Sequence, residues 1–375
     1  MLLQHFRPRS QLVTKTTLVE KPRFPVFDAH NHLGEPFGGG WDKKPLAQLL
    51  DLLDEAGVVR YVDLDGGWGE DILNAHLDYF KAKAPERFLI FGGVDWSRWP
   101  ELGEDFPQWA AGRLKVQKER GAEGLKIWKP FGLHVRDHEG KLVEVDDPRL
   151  DVLWETAGEL GLPVLIHVAD PAAFFDPIDE TNERWEELGL HPDWAFTSPP
   201  FPPFLRIMEA FYRLVKRHPN TTFIGAHVGC YAENLAWVGK MLDDCPNYFI
   251  DIAARLGELG RQPYTARRFF LQYQDRILFG SDFGPHLEAY RLYYRFLETD
   301  DEYFNYSVGE VPLQGRWYAY GIYLPDEVLK KLREVTNQVL AEAVAKDPMT
   351  KKVHDSYMAY KRKYDAWCTY SEGPY

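Results

Sequence analysis

The chain has 375 residues and a formal net charge of −13, with 45% hydrophobic and 27% charged residues, the balance of a globular protein with material for a sizeable core. That acidity, unrelieved by any Lys/Arg cluster, opposes binding to a phosphate backbone and excludes nucleic acid as an expected partner, and no apolar run approaches the roughly 20 residues of a membrane span. Cys230, Cys245 and Cys368 stand far apart with no CxxC pair, so neither a disulfide framework nor a thiolate metal site is signalled, and any metal must be held by histidine and carboxylate.

Residues 1–23 read as an extension, 24–350 as one domain and 351–375 as a tail. Both flanks have the composition of wrapping or subunit-contact segments, which makes a homo-oligomer an expectation. The basic start lacks an apolar stretch of signal-peptide length, so the expected location is cytoplasmic. Eight short apolar runs ending in polar residues then recur, at Val26 to His32, Val59 to Gly66, Phe88 to Asp95, Gly124 to Trp128, Pro163 to Asp170, Thr222 to Gly229, Tyr248 to Arg255 and Ile277 to Gly284. Stretches of helical periodicity separate them, at Pro45 to Ala56, Glu70 to Ala84, Pro107 to Arg120, Asp147 to Leu160, Phe204 to Arg217, Ala232 to Asp243 and Pro263 to Tyr273, and Asp326 to Ala345 closes the set. Alternating strand and helix predicts a parallel sheet wrapped by helices. Eight units without a GxGxxG phosphate motif predict an α/β fold of the (β/α)8 barrel type rather than an open sheet. Long insertions follow strands five (Pro171 to Pro203) and eight (Pro285 to Leu324), the second carrying Tyr290, Tyr293, Tyr294, Tyr303, Tyr306, Trp317 and Tyr320. Aromatic residues make up 15% of the chain, and such residues serve equally as packing under long loops or as a stacking surface for substrate.

The chemistry gathers at the ends of these strands. His30 and His32 close the first strand, and side chains two apart on a strand share a face, so both imidazoles can meet one ion. Chance alone gives about 0.4 such pairs at this histidine frequency, so position carries the argument more than the motif. His167 ends the fifth strand and His227 the sixth, each after an apolar run; singly each reads as a hydrogen-bonded core histidine, together they converge on one barrel mouth. Asp282 ends the eighth strand, where a buried carboxylate needs a cation, although a helix N-cap is its ordinary alternative. Lys126 is charged inside the fourth strand and Arg255 ends the seventh. Both are candidates for gripping substrate, with solvated ion pairs as the alternative. Asp65, Trp68, Asp95 and Trp96 end strands two and three and are candidate lining residues; Asp28 is a candidate partner behind a ligand or a strand-end cap. His134 and His138 have helical metal-pair spacing but fall in a polar turn and read as non-functional.

The phrases FDAHNHLG, VLIHVAD, FIGAHVG and ILFGSDFG resemble the amidohydrolase superfamily over nearly the whole chain, most of all its amidohydrolase-related branch of small hydrolases, lactonases and non-oxidative decarboxylases. The resemblance implies one divalent ion held by His30, His32, His167 and Asp282, with zinc the first choice and manganese or iron open. It implies catalytic roles for Asp282, as proton carrier, and His227, beside the ion. Lys126, Arg255, Trp68 and Asp95 are the candidate substrate-binding residues, and no organic cofactor is expected. In two-metal relatives a strand-four lysine is carboxylated and bridges the ions, an arrangement the sequence leaves open for Lys126.

Three functions compete: hydrolysis of a lactone, amide or ester of a small polar molecule by metal-activated water, non-oxidative decarboxylation of a small carboxylic acid, and a metal-free binding barrel.

Overall fold

Each expected apolar run supplies a strand, and each strand is shorter than its run. The computed structural model describes residues 10–345 apart from Pro36 and Leu313; the expected tail at 351–375 lies outside the described residues. The strands are β1 (Val26–Asn31), β2 (Val58–Asp63), β3 (Phe88–Ile90), β4 (Leu125–Ile127), β5 (Val164–Ile166), β6 (Phe223–Gly225), β7 (Tyr248–Asp251) and β8 (Ile277–Leu278). They pair in parallel in the orders β1-β2-β3 and β4-β5-β6-β7-β8. Backbone hydrogen bonds cross both remaining seams: Lys126 N–H donates to Gly92 C=O at 2.8 Å, and Ala29 N–H donates to Phe279 C=O at 2.9 Å. The eight strands thus form the expected (β/α)8 barrel.

A buried cluster of Phe27, Ala29, Val62, Leu89, Leu165, Ile224 and Leu278 draws on six of the strands, and a much larger one fills the space between strands and helices. Lys126 lies in register with Leu165, which lies in register with Ile224. The lysine therefore takes the fourth strand's place in the apolar inner layer, which removes the outward, salt-bridged alternative.

The expected helices form at Leu46–Ala56, Phe106–Arg120, Asp151–Glu159, Phe204–Arg217, Leu235–Asp244, Pro263–Gln272 and Asp326–Ala345, while the second runs Glu70–His76 and widens into a π turn over Leu77–Lys81. Among the described residues no helix is long and apolar enough to cross a membrane. The connection after β8 holds an unanticipated helix, Leu287–Glu298. Tyr290, Tyr293 and Tyr294 are buried on it, so they are core residues and not a loop surface facing substrate. Their hydroxyls explain how tyrosine serves there: Tyr290 donates to Asp28 at 2.7 Å, Tyr293 to Ser281 C=O at 2.9 Å and Tyr294 to Ala56 C=O at 2.7 Å.

The connection after β5 carries Arg184, which is buried, pairs with Glu187 at 3.0 Å and with Glu258, and lies over the Trp317 ring. Glu187 also accepts the Gly315 N–H at 2.8 Å, so the two long connections share one buried clamp. Residues 10–23 follow the barrel flank, where Thr17 bonds Asp301 through both N–H and hydroxyl and the Arg23 N–H donates to Glu298 at 2.8 Å.

Asp28 braces the β1–β8 seam. Fully buried, it accepts from the Ser281 hydroxyl at 2.6 Å, the Tyr290 hydroxyl at 2.7 Å, Asn31 Nδ2 at 2.8 Å and the Ser281 N–H at 3.1 Å. Removing it orphans several buried donors at once, so Asp28→Ala is expected to lower unfolding free energy by about 3 kcal/mol or more, read by urea denaturation. A loss below about 1 kcal/mol would contradict this role.

Candidate metal centre

The strand ends deliver the expected residues to one place, and the backbone bends unusually to do so. β6 stops at Gly225, and His227 (φ 58°, ψ 49°), Val228 (φ 58°, ψ 42°), Gly229 and Cys230 (φ 62°, ψ 15°) form a left-handed turn. His227 is therefore not on a strand as expected. Ala254 after β7 (φ 52°) and Asp282 after β8 (φ 59°) also adopt left-handed geometry, which costs about 1–2 kcal/mol per non-glycine residue. The strain is offset locally: Asp251 Oδ1 accepts the His227 N–H at 2.9 Å, the Tyr293 hydroxyl accepts the Ala254 N–H at 2.7 Å, and His30 C=O accepts the Asp282 N–H at 2.9 Å.

His30 on β1 and His32 just past its end are each oriented by a buried carboxylate. His30 Nδ1 lies 2.8 Å from Asp251 and His32 Nδ1 lies 2.7 Å from Asp65. Donation from Nδ1 leaves each Nε2 free to face the centre, where His32 Nε2 lies 3.0 Å and His30 Nε2 3.8 Å from Asp282 Oδ1. His227 donates from Nδ1 to Ala253 C=O at 2.8 Å and turns Nε2 toward Asp282 Oδ2 at 3.8 Å.

His30, His32 and Asp282 each offer a ligand atom, all within 4.8 Å of one another, and neutral imidazole with carboxylate is a donor set for zinc, manganese or iron. The residues fit a divalent ion. His167 does not join this group. Its Nε2 is drawn to Ala169 C=O at 3.1 Å, and Asp170, held by Lys129, lies 3.5 Å away. The ring stands edge-on to His227, with centroids 4.4 Å apart. Any bond from His167 to the ion would have to come from Nδ1.

Burial works against charge on His32, but the Asp282 and Asp65 carboxylates hold its pKa up at about 9. Burial would likewise raise Asp282, yet His30, His32 and Lys126 keep it well below the usual carboxylate range. Burial first, then the neighbours His167, Arg255, His30 and Lys126, keep His227 well below its ordinary value.

Lys126 is fully buried, and its Nζ has no hydrogen-bond partner among the described residues. It lies 4.7 Å from the Trp128 ring centroid, and Trp128 Nε1 is equally without a partner. Burial pushes the amine down to about 8, with Asp282 opposing. Gly67 makes this possible, since a Cβ there would come 2.6 Å from Trp128 Nε1 and 2.9 Å from Lys126 Cβ. Trp68 stacks on Trp128 at 3.9 Å, Trp128 on His32 at 5.2 Å, and Phe37 stacks against Trp68 at 5.9 Å, forming a flat aromatic wall beside the ligands. Arg255 is buried just past β7 and donates from Nη1 to Ala254 C=O at 2.8 Å. Asp95 is elsewhere: exposed, it caps Ser97 and borders a cavity of about 560 Å³ with Trp68 and Trp109 whose lining includes none of the histidines. Trp96 stacks on Phe131 at 4.8 Å, and His134 packs edge-on against Phe201.

The sequence reading passed over Asp251 as a ligand-orienting group, and its signal was a carboxylate at the end of the apolar run Tyr248-Phe249-Ile250. Asp65, expected to line the mouth, instead holds His32 and also receives the Leu33 and Gly34 N–H groups.

The amidohydrolase family profile matches residues 28–334, a span that holds every one of these side chains. The chain belongs to the amidohydrolase family. Solved structures with similar folds include a 2,6-dihydroxybenzoate decarboxylase complexed with 2,6-dihydroxybenzoate (16% identity, TM-score 0.52, covering 85% of this chain and 98% of that one). Another is an amidohydrolase II (14% identity, TM-score 0.51, 84% and 99%). A third is a dihydroxybenzoic acid decarboxylase from Polaromonas sp. JS666 with bound manganese and the inhibitor 2-nitroresorcinol (16% identity, TM-score 0.50, 82% and 88%). No curated protein matches the chain. At these identities the likeness establishes the barrel of this amidohydrolase and no more.

Two outcomes test the site. A metal binding to His32 must displace the proton that imidazole keeps up to about pH 9, so uptake of zinc or manganese should release about one proton at pH 7 and tighten as pH rises. Calorimetry in buffers of different ionisation enthalpy reads this, and uptake with no proton release would refute it. Lys126→Met should raise unfolding free energy of the metal-free chain at pH 7 by about 2–3 kcal/mol, because a base held at about 8 against 10.5 destabilises the fold wherever it is charged. The gain is full below pH 8 and fades as pH climbs toward 10.5, so an unchanged stability at pH 7 would count against an unpartnered charge.

Proposed function

We propose that this chain is a metal-dependent enzyme that decarboxylates a planar aromatic acid without oxidation. The observation carrying this reading is the buried Lys126 amine, without a hydrogen-bond partner among the described residues, 4.7 Å from the Trp128 ring that stacks with Trp68 and Phe37 into the aromatic wall. An ammonium in such a setting is unfavourable alone and favourable against a carboxylate. The wall suits a flat ring, and two of the similar folds are decarboxylases of dihydroxybenzoates.

His30, His32 and Asp282 would hold the ion, with His167 available through Nδ1. A divalent ion in that position supplies a Lewis acid for substrate oxygens. Zinc and manganese are the ions to supply, the second because one similar fold carries it. Lys126 and Trp128 Nε1 grip the acid, and the stacked rings hold its plane and exclude water from one face. As the ring–carboxylate bond breaks, carbon dioxide leaves, the electron pair stays on the ring carbon, and that carbon takes one proton. Asp282, ionised in the resting site, would take that proton from the substrate's own carboxylic acid group as it binds and pass it to the ring carbon, with His227 facing it at 3.8 Å. In the family's hydrolytic reading the same pair would take a proton from water and return it to the leaving group of a lactone, amide or ester. The facing of His227 Nε2 and Asp282 Oδ2 at 3.8 Å favours it.

The test supplies manganese or zinc and follows carbon dioxide from a panel of hydroxybenzoates beside turnover of lactones and amides. Carbon dioxide release abolished by His30→Ala, and reduced a hundredfold or more by Lys126→Met, is expected. Lactone or amide turnover without carbon dioxide would transfer the assignment to hydrolysis, and a chain that takes up no metal would be a binding barrel.

A further inference from the structure

Behind His32 stands a second pair of histidine and carboxylate that neither the metal nor the substrate reading uses. Asp63 ends β2 and lies in register with Asn31 at the end of β1. It is fully buried, and its Oδ2 lies 2.6 Å from Nδ1 of His76, the last residue of the helix Glu70–His76 and itself only 3% exposed. Two carboxylates buried this close in the chain, Asp63 and Asp65, each need a partner. His76 serves the first and His32 the second.

Asp63, Asp65 and His76 each bring one ligand-type atom within 4.8 Å of the others, but these groups are spent on one another and on the backbone. Asp63 Oδ2 holds His76, while Asp65 gives Oδ1 to His32 and Oδ2 to the Leu33 and Gly34 N–H groups. The group is a bonded network and not a second ion site.

Its target is the peptide unit that joins His32 to Leu33. Tyr61 and Asp63, two apart on β2 and so on one face of it, grip that unit at both ends: the Tyr61 hydroxyl donates to His32 C=O at 2.6 Å, and Asp63 Oδ1 accepts the Leu33 N–H at 3.2 Å. The same oxygen accepts the Asp65 N–H at 3.3 Å. Gly38 lies against this unit, where a Cβ would come 2.4 Å from both His32 C and Leu33 N. Immediately past His76 the helix widens into the π turn over Leu77–Lys81, an irregularity that recurs at functional sites.

We propose that His76 is a positioning residue for the metal centre. It holds Asp63, Asp63 fixes the peptide unit after His32 together with the Asp65 amide, and Asp65 turns His32 Nε2 toward the ion. This rests on the reading of His30, His32 and Asp282 as ligands and does not depend on which substrate bond is broken.

Manganese uptake by the full-length chain, followed by calorimetry, tests it. His76→Leu should weaken uptake tenfold or more, the scale on which partners behind a ligand act. His76→Asn, whose amide nitrogen takes the place of Nδ1, should restore it to within about threefold of wild type. In an Asp65→Asn background His76→Leu should add nothing, since the route to His32 is already cut. A histidine with a purely structural role would lower the melting temperature and leave the folded chain's affinity within about threefold, or add its loss in full to that of Asp65→Asn, and either result overturns the proposal. If His76→Leu does not fold, His76→Asn and His76→Gln decide between them, because the glutamine amide reaches the Nε2 position instead. Asparagine near wild type with glutamine about tenfold weaker supports the route, and equal affinities overturn it. A wild-type chain that takes up neither manganese nor zinc removes the metal centre and this inference together, whereas metal uptake indifferent to residue 76 sinks this inference alone.

Discussion

The site depends on two buried carboxylates that hold imidazole rings by the far nitrogen. Asp251 takes the Nδ1 of His30 and Asp65 that of His32, and each bond fixes tautomer and ring plane together, so both Nε2 atoms turn toward Asp282. Without these partners the rings of residues 30 and 32 would be free to rotate about two torsions each, and the three candidate ligand atoms could not stay grouped. The carboxylates are themselves anchored, Asp65 by the Leu33 and Gly34 amides and Asp251 by the His227 and Ala253 amides. The centre is thus built from the backbone outward, which is how a barrel with variable loops can keep a constant arrangement at its mouth.

Backbone strain gathers at the same end. Left-handed residues follow β6, β7 and β8, and among them Val228 is β-branched, a residue type for which that geometry is an outlier. Such conformations persist only where their surroundings over-determine them. Here the hydroxyl of Tyr293 bridges two of the three bends, accepting from Ala254 and donating to Ser281 C=O. The helix Leu287–Glu298 therefore does more than fill a long connection: it stitches the ends of neighbouring strands while Tyr290 on its next turn holds Asp28.

Much of this was legible in the residues. Apolar runs of strand length are driven to the interior whatever follows them, so strand order and the convergence of His30, His32, His227 and Asp282 could be read directly. Turn geometry could not, because nothing in Gly-Ala-His-Val-Gly-Cys separates a strand continuing to Gly229 from one that stops at Gly225 and coils left-handed. The helix at Leu287–Glu298 was hidden because its buried face is tyrosine, whose hydroxyl makes a core residue resemble a surface one. His167 was expected among the ligands; a hydrogen bond to Ala169 just beyond it turns Nε2 aside, and so local a contact leaves no periodic trace. Asp95 looked like a mouth residue by position alone, and a serine two places on was enough to engage it.

The clamp around Arg184 has a consequence for how such a chain can change. Glu187 from one long connection grips the backbone of Gly315 in the other, and Arg184 joins both to Glu258 beyond β7. Exchanging the first segment would leave Glu258 without Arg184, and exchanging the second would leave Glu187 without the Gly315 N–H and Arg184 without the Trp317 ring. The two would therefore be inherited as a single cassette, and variation in what the barrel accepts would arise in paired steps rather than loop by loop.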